Sequence, residues 1–232
     1  MADLAREGIL CNVVRSNPTW GGMFRPRVIS ISCFFVNNLP SDFLRNISTF
    51  SFTRSIQLIG CDLSQSHFSD IDTNDSIKSL QVQMCPLVDD KCLLLICKNM
   101  PSLVKLNLSG TAITDAGTKH VSQLRHLEQL DLSRTQITGE CLDLVTQNCP
   151  KLKNLDFQRS RLTDTGLAAL TDCQSLEILN LAWTDVTEHG VSQLTPLTQL
   201  RSLTIWDTPM AQTTVEELKR SLSKTRITIG RN

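Results

Sequence analysis

Residues 103–114 read LVKLNLSGTAIT, and the phrase returns as LEQLDLSRTQIT from Leu127, LKNLDFQRSRLT from Leu152, LEILNLAWTDVT from Leu176 and, in part, LRSLTIWDTPM from Leu200. The five starts lie 24, 25, 24 and 24 positions apart. Self-similarity at that period is the signature of a solenoid, in which one unit is too small to bury its own apolar face and is stabilised by stacking on its neighbours.

Numbering each unit from its first residue extends the pattern in both directions. Position 4 reads Ile56, Leu80, Leu106, Leu130, Leu155, Leu179, Leu203, and position 6 reads Leu58, Val82, Leu108, Leu132, Phe157, Leu181, Ile205. Both alternate with polar residues, which predicts a half-buried strand. Position 11 (Leu63, Leu87, Ile113, Ile137, Leu162, Val186, Met210) and position 19 (Ile71, Leu95, Val121, Val145, Leu170, Leu194, Leu218) supply two further apolar columns, the second on a helix that returns along the strand. Position 9 is Cys61, Cys85, Thr111, Thr135, Ser160, Thr184, Thr208. A small hydroxyl or thiol there can satisfy buried backbone where strand turns to helix. Thr114-Asp115, Thr163-Asp164 and Thr187-Glu188 read as helix starts, a capping threonine followed by an acid at the positive end of the helix. Gly117, Gly166 and Gly190 recur three residues after the threonine, and because glycine inside a helix is unfavourable by about 1 kcal/mol, they indicate close packing between neighbouring helices.

Outside the regular array, Leu4, Ile9, Leu10, Val13 and Val14 predict a short helix that stops before Asn17-Pro18, followed by a loop with Trp20-Gly21-Gly22 and Pro26. VISIS, from Val28, predicts a first strand in which Ile29, Ile31 and Val36 take positions 4, 6 and 11. Ser41 is placed to cap a helix through Phe43, Leu44 and Ile47. At the other end Val215, Leu218 and Leu222 mark a helix face, and Ile227 and Ile229 repeat positions 4 and 6, so the chain closes on a ninth strand with Lys224, Arg226 and Arg231 discouraging further pairing. The domain reading is therefore 1–52 as an N-terminal helical cap and irregular first repeat, 53–223 as repeats of about 24 residues, and 224–232 as a C-terminal capping strand.

Composition narrows the function classes. The 232 residues carry 23 Lys plus Arg and 23 Asp plus Glu. That balance supplies no overall field to attract nucleic acid or an anionic membrane, so neither is expected as a partner. No apolar run approaches the ~20 residues of a membrane helix, and MADLAREGIL lacks the apolar core of a secretory signal. The nine cysteines contain no Cys-x-x-Cys and no matching histidines, so no metal and no cofactor is expected, and the thiols read as free, buried, small apolar groups of a reducing compartment. The expected location is the cytoplasm, extending to the nucleus. The four histidines, His67, His120, His126 and His189, occupy unrelated repeat positions and read as solvated surface residues; no catalytic constellation follows from spacing, and the chain is read as a non-enzyme.

The motif LxxLxLxxT/CxxITDxGLxxL, with Cys61 and Cys85 at position 9 and Cys149-Pro150 and Cys173 before later strands, resembles the cysteine-containing leucine-rich repeat. That subtype occurs in F-box leucine-rich-repeat proteins, in the antagonist-of-mitotic-exit-network family and in Zyg-type substrate receptors. The resemblance implies an α/β fold, a right-handed arc with parallel β-strands on the concave face and helices on the convex face. It also implies protein binding, as a substrate-recognition or adaptor subunit of a cullin-type ubiquitin ligase whose machinery meets the N-terminal cap. LPSDFLRNISTF, residues 39–50, is similar to the opening of an F-box, but repeat spacing resumes at Thr53, which makes it the helix of the first repeat. The alternative is a structural or assembly-factor scaffold without ligase association.

Strand side chains alternate, so positions 5, 7 and 8 of the later repeats face outward from the core. They place Asp131 and Arg134, Asp156 and Arg159, Trp183, and Trp206 with Asp207 on the concave face, where Arg134, Arg159, Trp183 and Trp206 form one patch bordered by Arg161 and Asp185. Tryptophan and arginine are the residues most enriched in binding hot spots, and this patch is the expected protein-binding site. Two alternatives stand beside it: the tryptophans cover the core near the C-terminal cap, or the Asp131–Arg134 and Asp156–Arg159 pairs are plain surface ion pairs.

Overall fold

Alternation at positions 3 to 7 gives every repeat one short strand, and a computed structural model of the chain, describing residues 11–16, 27–37, 39–48, 53–69 and 71–230, joins these strands into a single sheet. In order they are β1 (Cys11–Ser16), β2 (Arg27–Phe34), β3 (Ser55–Ile59), β4 (Ser79–Gln83), β5 (Lys105–Asn107), β6 (Gln129–Asp131), β7 (Asn154–Asp156), β8 (Ile178–Asn180), β9 (Ser202–Trp206) and β10 (Arg226–Gly230). Strands β2 to β10 are parallel neighbours in sequence order, while β1 lies antiparallel on β2. The helices are α1 (Phe43–Ser48), α2 (Gln65–Ser69), α3 (Asp90–Asn99), α4 (Asp115–Thr118) continued by a 3₁₀ turn at Lys119–Gln123, α5 (Leu142–Asn148), α6 (Asp164–Ala168), α7 (Glu188–Ser192) and α8 (Gln212–Ser221). Strands repeat every ~4.8 Å, whereas packed helices need ~8–10 Å. The array therefore bends with the strands on its inner, concave side.

Register follows the apolar columns. Ile56, Leu80, Leu106, Leu130, Leu155, Leu179, Leu203 and Ile227 are successive partners across the sheet. All seven position-6 residues from Leu58 to Ile205 are completely buried, in one core running through the whole array. The repeat beginning at Ile77 departs from the columns: Leu87 is exposed and Val88 takes its place in the core, and Ile96 is fully buried while Leu95 lies at its edge. An extra residue at Pro86-Leu87 loops out between strand and helix and moves both columns one residue along.

The N-terminal expectations are corrected in two ways. Residues Cys11–Ser16, read as part of a helix, form strand β1. The β-branched Val13 and Val14 favour a strand, and β2 would otherwise present an unpaired edge. In the first repeat, Ile31 and Cys33, not Ile29 and Ile31, align with positions 4 and 6 of the next strand. Val36 then falls at position 9, where its carbonyl accepts from Asp62 N–H. The predicted helix residues Leu4, Ile9 and Leu10 and the loop with Trp20 and Pro26 lie outside the described residues. Cys33 is disulfide-bonded, contrary to the expectation of free thiols throughout; its Cα partner in the β1–β2 register is Cys11. Cys61, Cys85, Cys92, Cys97, Cys141, Cys149 and Cys173 are free, all but Cys141 buried, and burial pushes the thiols of Cys85, Cys92 and Cys149 up to about 11.

The turn from strand to helix is built alike in every repeat. The position-8 residue has a left-handed backbone: Phe35, Gly60, Met84, Gly110, Arg134, Arg159, Trp183 and Asp207 have φ between 52° and 68°. Its N–H donates to the position-7 carbonyl of the next repeat, as from Gly60 to Gln83 (2.8 Å), Met84 to Ser109 (2.7 Å), Arg134 to Gln158 (2.8 Å) and Trp183 to Trp206 (2.9 Å). Position 9 then satisfies buried carbonyls, as its side-chain chemistry predicts. Thr111 and Thr135 hydroxyls donate to Leu108 and Leu132 carbonyls, both at 2.6 Å, while the Cys61 and Cys85 thiols reach the position-6 carbonyls of the preceding repeat, Cys33 at 3.7 Å and Leu58 at 3.6 Å.

The helix starts are also tied across repeats. Asp90 accepts from Thr114 N–H (2.8 Å) and Oγ1 (2.6 Å), Asp115 from Thr138 N–H (2.9 Å), and Asp164 from Thr187 N–H (2.7 Å). Each first-turn acid thus complements its own helix dipole and holds the threonine at position 12 of the next repeat, which at Thr114 and Thr187 is also the helix cap. This explains the glycines: a Cβ on Gly117 would lie 2.3 Å from Asp90 Oδ1, and one on Gly190 2.2 Å from Asp164 Oδ1.

Candidate functional site

Position 5 carries an Asn or Asp in four successive strands, and the side chains form a ladder on the concave face. Each folds back on its own chain: Asn107, Asp131, Asp156 and Asn180 accept through Oδ1 from the N–H two residues on, at Ser109 (2.9 Å), Ser133 (2.9 Å), Gln158 (2.8 Å) and Ala182 (3.1 Å). The outer amides then bond inward, Asn107 Nδ2 to Asp131 Oδ2 at 2.7 Å and Asn180 Nδ2 to Asp156 Oδ2 at 3.0 Å. That leaves Asp131 and Asp156 as direct partners across β6 and β7, two carboxylates side by side. They border a hollow of about 290 Å³ that also meets Lys105, Gln129 and Asn154. Burial raises the Asp156 carboxyl above its ordinary value, and the charge of Asp131 adds to the shift, against lowering hydrogen bonds from Gln158 N–H and the Asn180 amide.

Position 8 forms the rim. Arg159 Cζ stands 5.0 Å from the Trp183 ring centroid, and the Trp183 and Trp206 centroids are 5.7 Å apart with planes tilted by 40°. The structure therefore brings Arg159, Trp183 and Trp206 together as one ridge, and exposed Arg134 holds the preceding place in the same column. Trp206 also lies over Gly230 of β10, where a Cβ would come within 2.4 Å of the ring, so it covers the last strand as well as extending the ridge. Asp207 is set apart. It sits in a second hollow with Glu188, Pro209 and Met210. Arg161 and Asp185 pair at 3.8 Å with both side chains mostly exposed, an interaction worth less than ~1 kcal/mol. Asp131 and Asp156 take part in no ion pair among the described residues; their partners are the neutral donors above.

Two features escaped the sequence reading. The amides of Asn107 and Asn180 bracket the acidic pair, and the signal for them was the unbroken run of Asn and Asp at position 5. Phe35 and Met84 belong to the position-8 column too; their exposed side chains lie across Gly60 and Gly110, whose added Cβ would approach Phe35 Cδ1 to 2.4 Å and Met84 Sδ to 2.6 Å. The expectation of solvated histidines fails at His67, which is buried. Its Nδ1 accepts from Ser64 N–H (3.1 Å), so Nε2 carries the proton and donates to Leu39 carbonyl (2.9 Å), a structural link between the first two repeats. Among the described residues no group of three or more His, Cys, Asp or Glu side chains could hold a metal ion, and no helix is long and apolar enough to cross a membrane.

The family model for the leucine-rich repeats of FBD-associated F-box protein At5g56370 matches residues 65–168, and a leucine-rich-repeat model matches residues 172–194. The chain belongs to the cysteine-containing leucine-rich-repeat family. No curated protein matches this leucine-rich-repeat chain in sequence. Among solved structures it is similar to an internalin (inlF) from Listeria monocytogenes str. 4b F2365, with 17% identity, TM-score 0.60, and coverage of 80% of this chain and 56% of that one. It is also similar to a chain of the octameric complex of Latrophilin 3, Unc5D and FLRT2, with 19% identity, TM-score 0.56, and coverage of 79% and 55%. This repeat array thus spans a little over half the length of the chains it resembles, and the likeness is one of fold.

Two outcomes follow for purified variants. Because the folded state holds the Asp156 proton more tightly than the unfolded chain, the contribution of Asp156 to stability falls as pH rises from the ordinary carboxyl value of about 3.9. Like charges directly opposite on neighbouring strands are destabilising, so Asp156→Asn is expected to raise stability at pH 7 by about 0.5 kcal/mol, a gain that shrinks toward pH 4; urea denaturation at both pH values measures it. Trp183→Gly relieves a left-handed backbone unfavourable by ~1–2 kcal/mol and loses an aromatic pair worth ~0.5–1.5 kcal/mol. Its unfolding free energy should stay within about 1 kcal/mol of wild type; a larger loss would make Trp183 chiefly a structural residue.

Proposed function

We propose that the chain is a non-catalytic protein-interaction module that holds a client protein on the Arg159–Trp183–Trp206 ridge, as a substrate-recognition or adaptor subunit of a cullin-type ubiquitin ligase. One observation carries the binding half. The rim position demands a left-handed backbone, which glycine accepts without penalty, and Gly60 and Gly110 fill it in two repeats, yet Arg134, Arg159 and Trp183 fill it in successive later ones. The fold is served as well by glycine, so these side chains are kept for the surface they create. Strained positions of this kind concentrate at functional sites. The ligase half is supported by the F-box-associated repeat model that matches residues 65–168. Client binding in the cytoplasm, without cofactor or metal, belongs to the same proposal.

A scaffold without ligase contact is the second reading, favoured by the N-terminal edge. There the described residues form the β1–β2 pair and the α1 helix of the first repeat, whose Ile31, Cys33, Phe43 and Leu44 are built into the common core rather than into a separate docking unit.

Affinity capture of the tagged full chain from cells, followed by mass spectrometry, decides between them. The control is Arg159→Gly/Trp183→Gly, which copies the glycines of the earlier repeats. Retention of a cullin and its adaptor by both proteins, with a client retained by wild type and lost from the variant, is the expected result. Capture without any ligase component would leave the scaffold, and a variant that keeps every partner would remove the ridge as the binding site.

A further inference from the structure

We infer that the concave face takes an extended segment of a partner protein, which places an arginine or lysine side chain in the hollow between Asp131 and Asp156 and an acidic side chain, about three residues away, against Arg134 and Arg159. This rests on the proposed reading of the chain as a binding module and names the chemistry of its partner.

The two halves of the face carry opposite charge, and although Lys105 lines the same hollow, no ion pair among the described residues closes on either half. Asp131 and Asp156 are side by side, and every hydrogen bond described to them comes from a neutral group: the Ser133 and Gln158 backbone N–H and the Asn107 and Asn180 amides. These bonds fix the two carboxylates as a preorganised pair, and a cation between them would cancel a repulsion that the fold leaves standing. With no third His, Cys, Asp or Glu side chain joining the pair among the described residues, it offers fewer protein ligands than the six to eight oxygens calcium takes. A guanidinium presents five N–H donors in one plane and can address both carboxylates at once. On the rim, Arg134 and Arg159 are exposed and enter no ion pair among the described residues. Positions 5 and 8 of a repeat are three residues apart, a separation of ~10 Å that an extended peptide covers in about three residues. Beyond Arg159, the Trp183 and Trp206 rings continue the ridge into the next two repeats and offer an apolar surface beside the charged halves.

The test is selection of phage-displayed random dodecapeptides on the immobilised full chain, followed by fluorescence anisotropy of the best peptide with wild type, with Asp131→Asn/Asp156→Asn and with Arg159→Gly/Trp183→Gly. Asparagine already makes the same backbone bond at Asn107 and Asn180, so the first variant keeps those bonds while the Asn107 and Asn180 amides lose their carboxylate acceptors, and thermal unfolding checks that it is folded. Selected peptides should share a basic residue with an acidic one about three positions away, and the asparagine variant should bind about tenfold more weakly. Replacing the peptide's basic residue by glutamine should weaken binding to wild type by as much and abolish the difference between the two proteins; this control does not depend on any variant folding. Selected peptides without a basic residue, or equal affinity for wild type and the asparagine variant, would overturn the inference. If such peptides still lose affinity for the Arg159→Gly/Trp183→Gly protein, the ridge stands as a binding site and only its assigned partner chemistry falls. If no peptide is selected and that variant also keeps every cellular partner, both readings fall together.

Discussion

Every repeat depends on one corner, the left-handed residue at position 8 whose N–H bonds the carbonyl of the next repeat. That hydrogen bond carries the sheet ladder one residue past the side chains that face the core, and it fixes where strand ends and helix approach begins. Leaving such an N–H buried without a partner would cost about 1–3 kcal/mol, while a non-glycine residue in the left-handed region costs ~1–2 kcal/mol. The two are comparable, and because each corner is held by a neighbouring repeat and by the hydroxyl or thiol that follows it at position 9, the ladder wins in all eight repeats, phenylalanine, methionine, arginine and tryptophan included.

From this corner follows the surface. A side chain on a left-handed residue leaves the sheet at a direction set by backbone rather than by rotamer alone, and the column repeats at strand spacing. Phe35 over Gly60, Met84 over Gly110 and Arg159 over Trp183 lean toward the next repeat, and Trp206, one residue before the left-handed Asp207, does the same over Gly230. The rim is thus apolar toward the N-terminal repeats and cationic-aromatic toward the C-terminal ones, with the neutral amides and two carboxylates of position 5 in the trough beside it. Binding surfaces held in place before the partner arrives lose less ordering entropy on association, and a solenoid corner provides that rigidity without a separate loop.

The periodic part of this was legible in the sequence. Leu106 to Leu203 and Leu108 to Ile205 recur at constant spacing, and constant spacing is what a ladder requires. Where spacing breaks, legibility fails: the residue that loops out at Pro86-Leu87 shifts Leu87 out of the core, and the first strand was read two residues early because Ile29, Ile31 and Val36 imitate the pattern without sharing the register. Val13 and Val14 were assigned to a helix because their short stretch shows no clear period, although their branching at Cβ argues for the strand they form, and the Cys33 disulfide went unread with it. The rim was found for its chemistry, from Arg159, Trp183 and Trp206, but its backbone was not. Gly60 and Gly110 mark a left-handed position, and only their alignment with Arg134 and Trp183 reveals it. The Asp90–Thr114 and Asp164–Thr187 bonds join residues more than twenty positions apart, which no local propensity describes.

Amide hydrogen exchange, resolved by residue with NMR, examines the corner directly. If the position-8 N–H groups are rungs of the ladder, those of Arg134, Arg159 and Trp183 should exchange as slowly as those of the buried strand residues Leu130, Leu155 and Leu179, and as slowly as Gly110 at the equivalent corner. Exchange of the arginine and tryptophan amides at the rate of open surface turns, with the strand amides still protected, would mean that the left-handed corner is not a fixed element of the fold and that the rim built on it is not held in place.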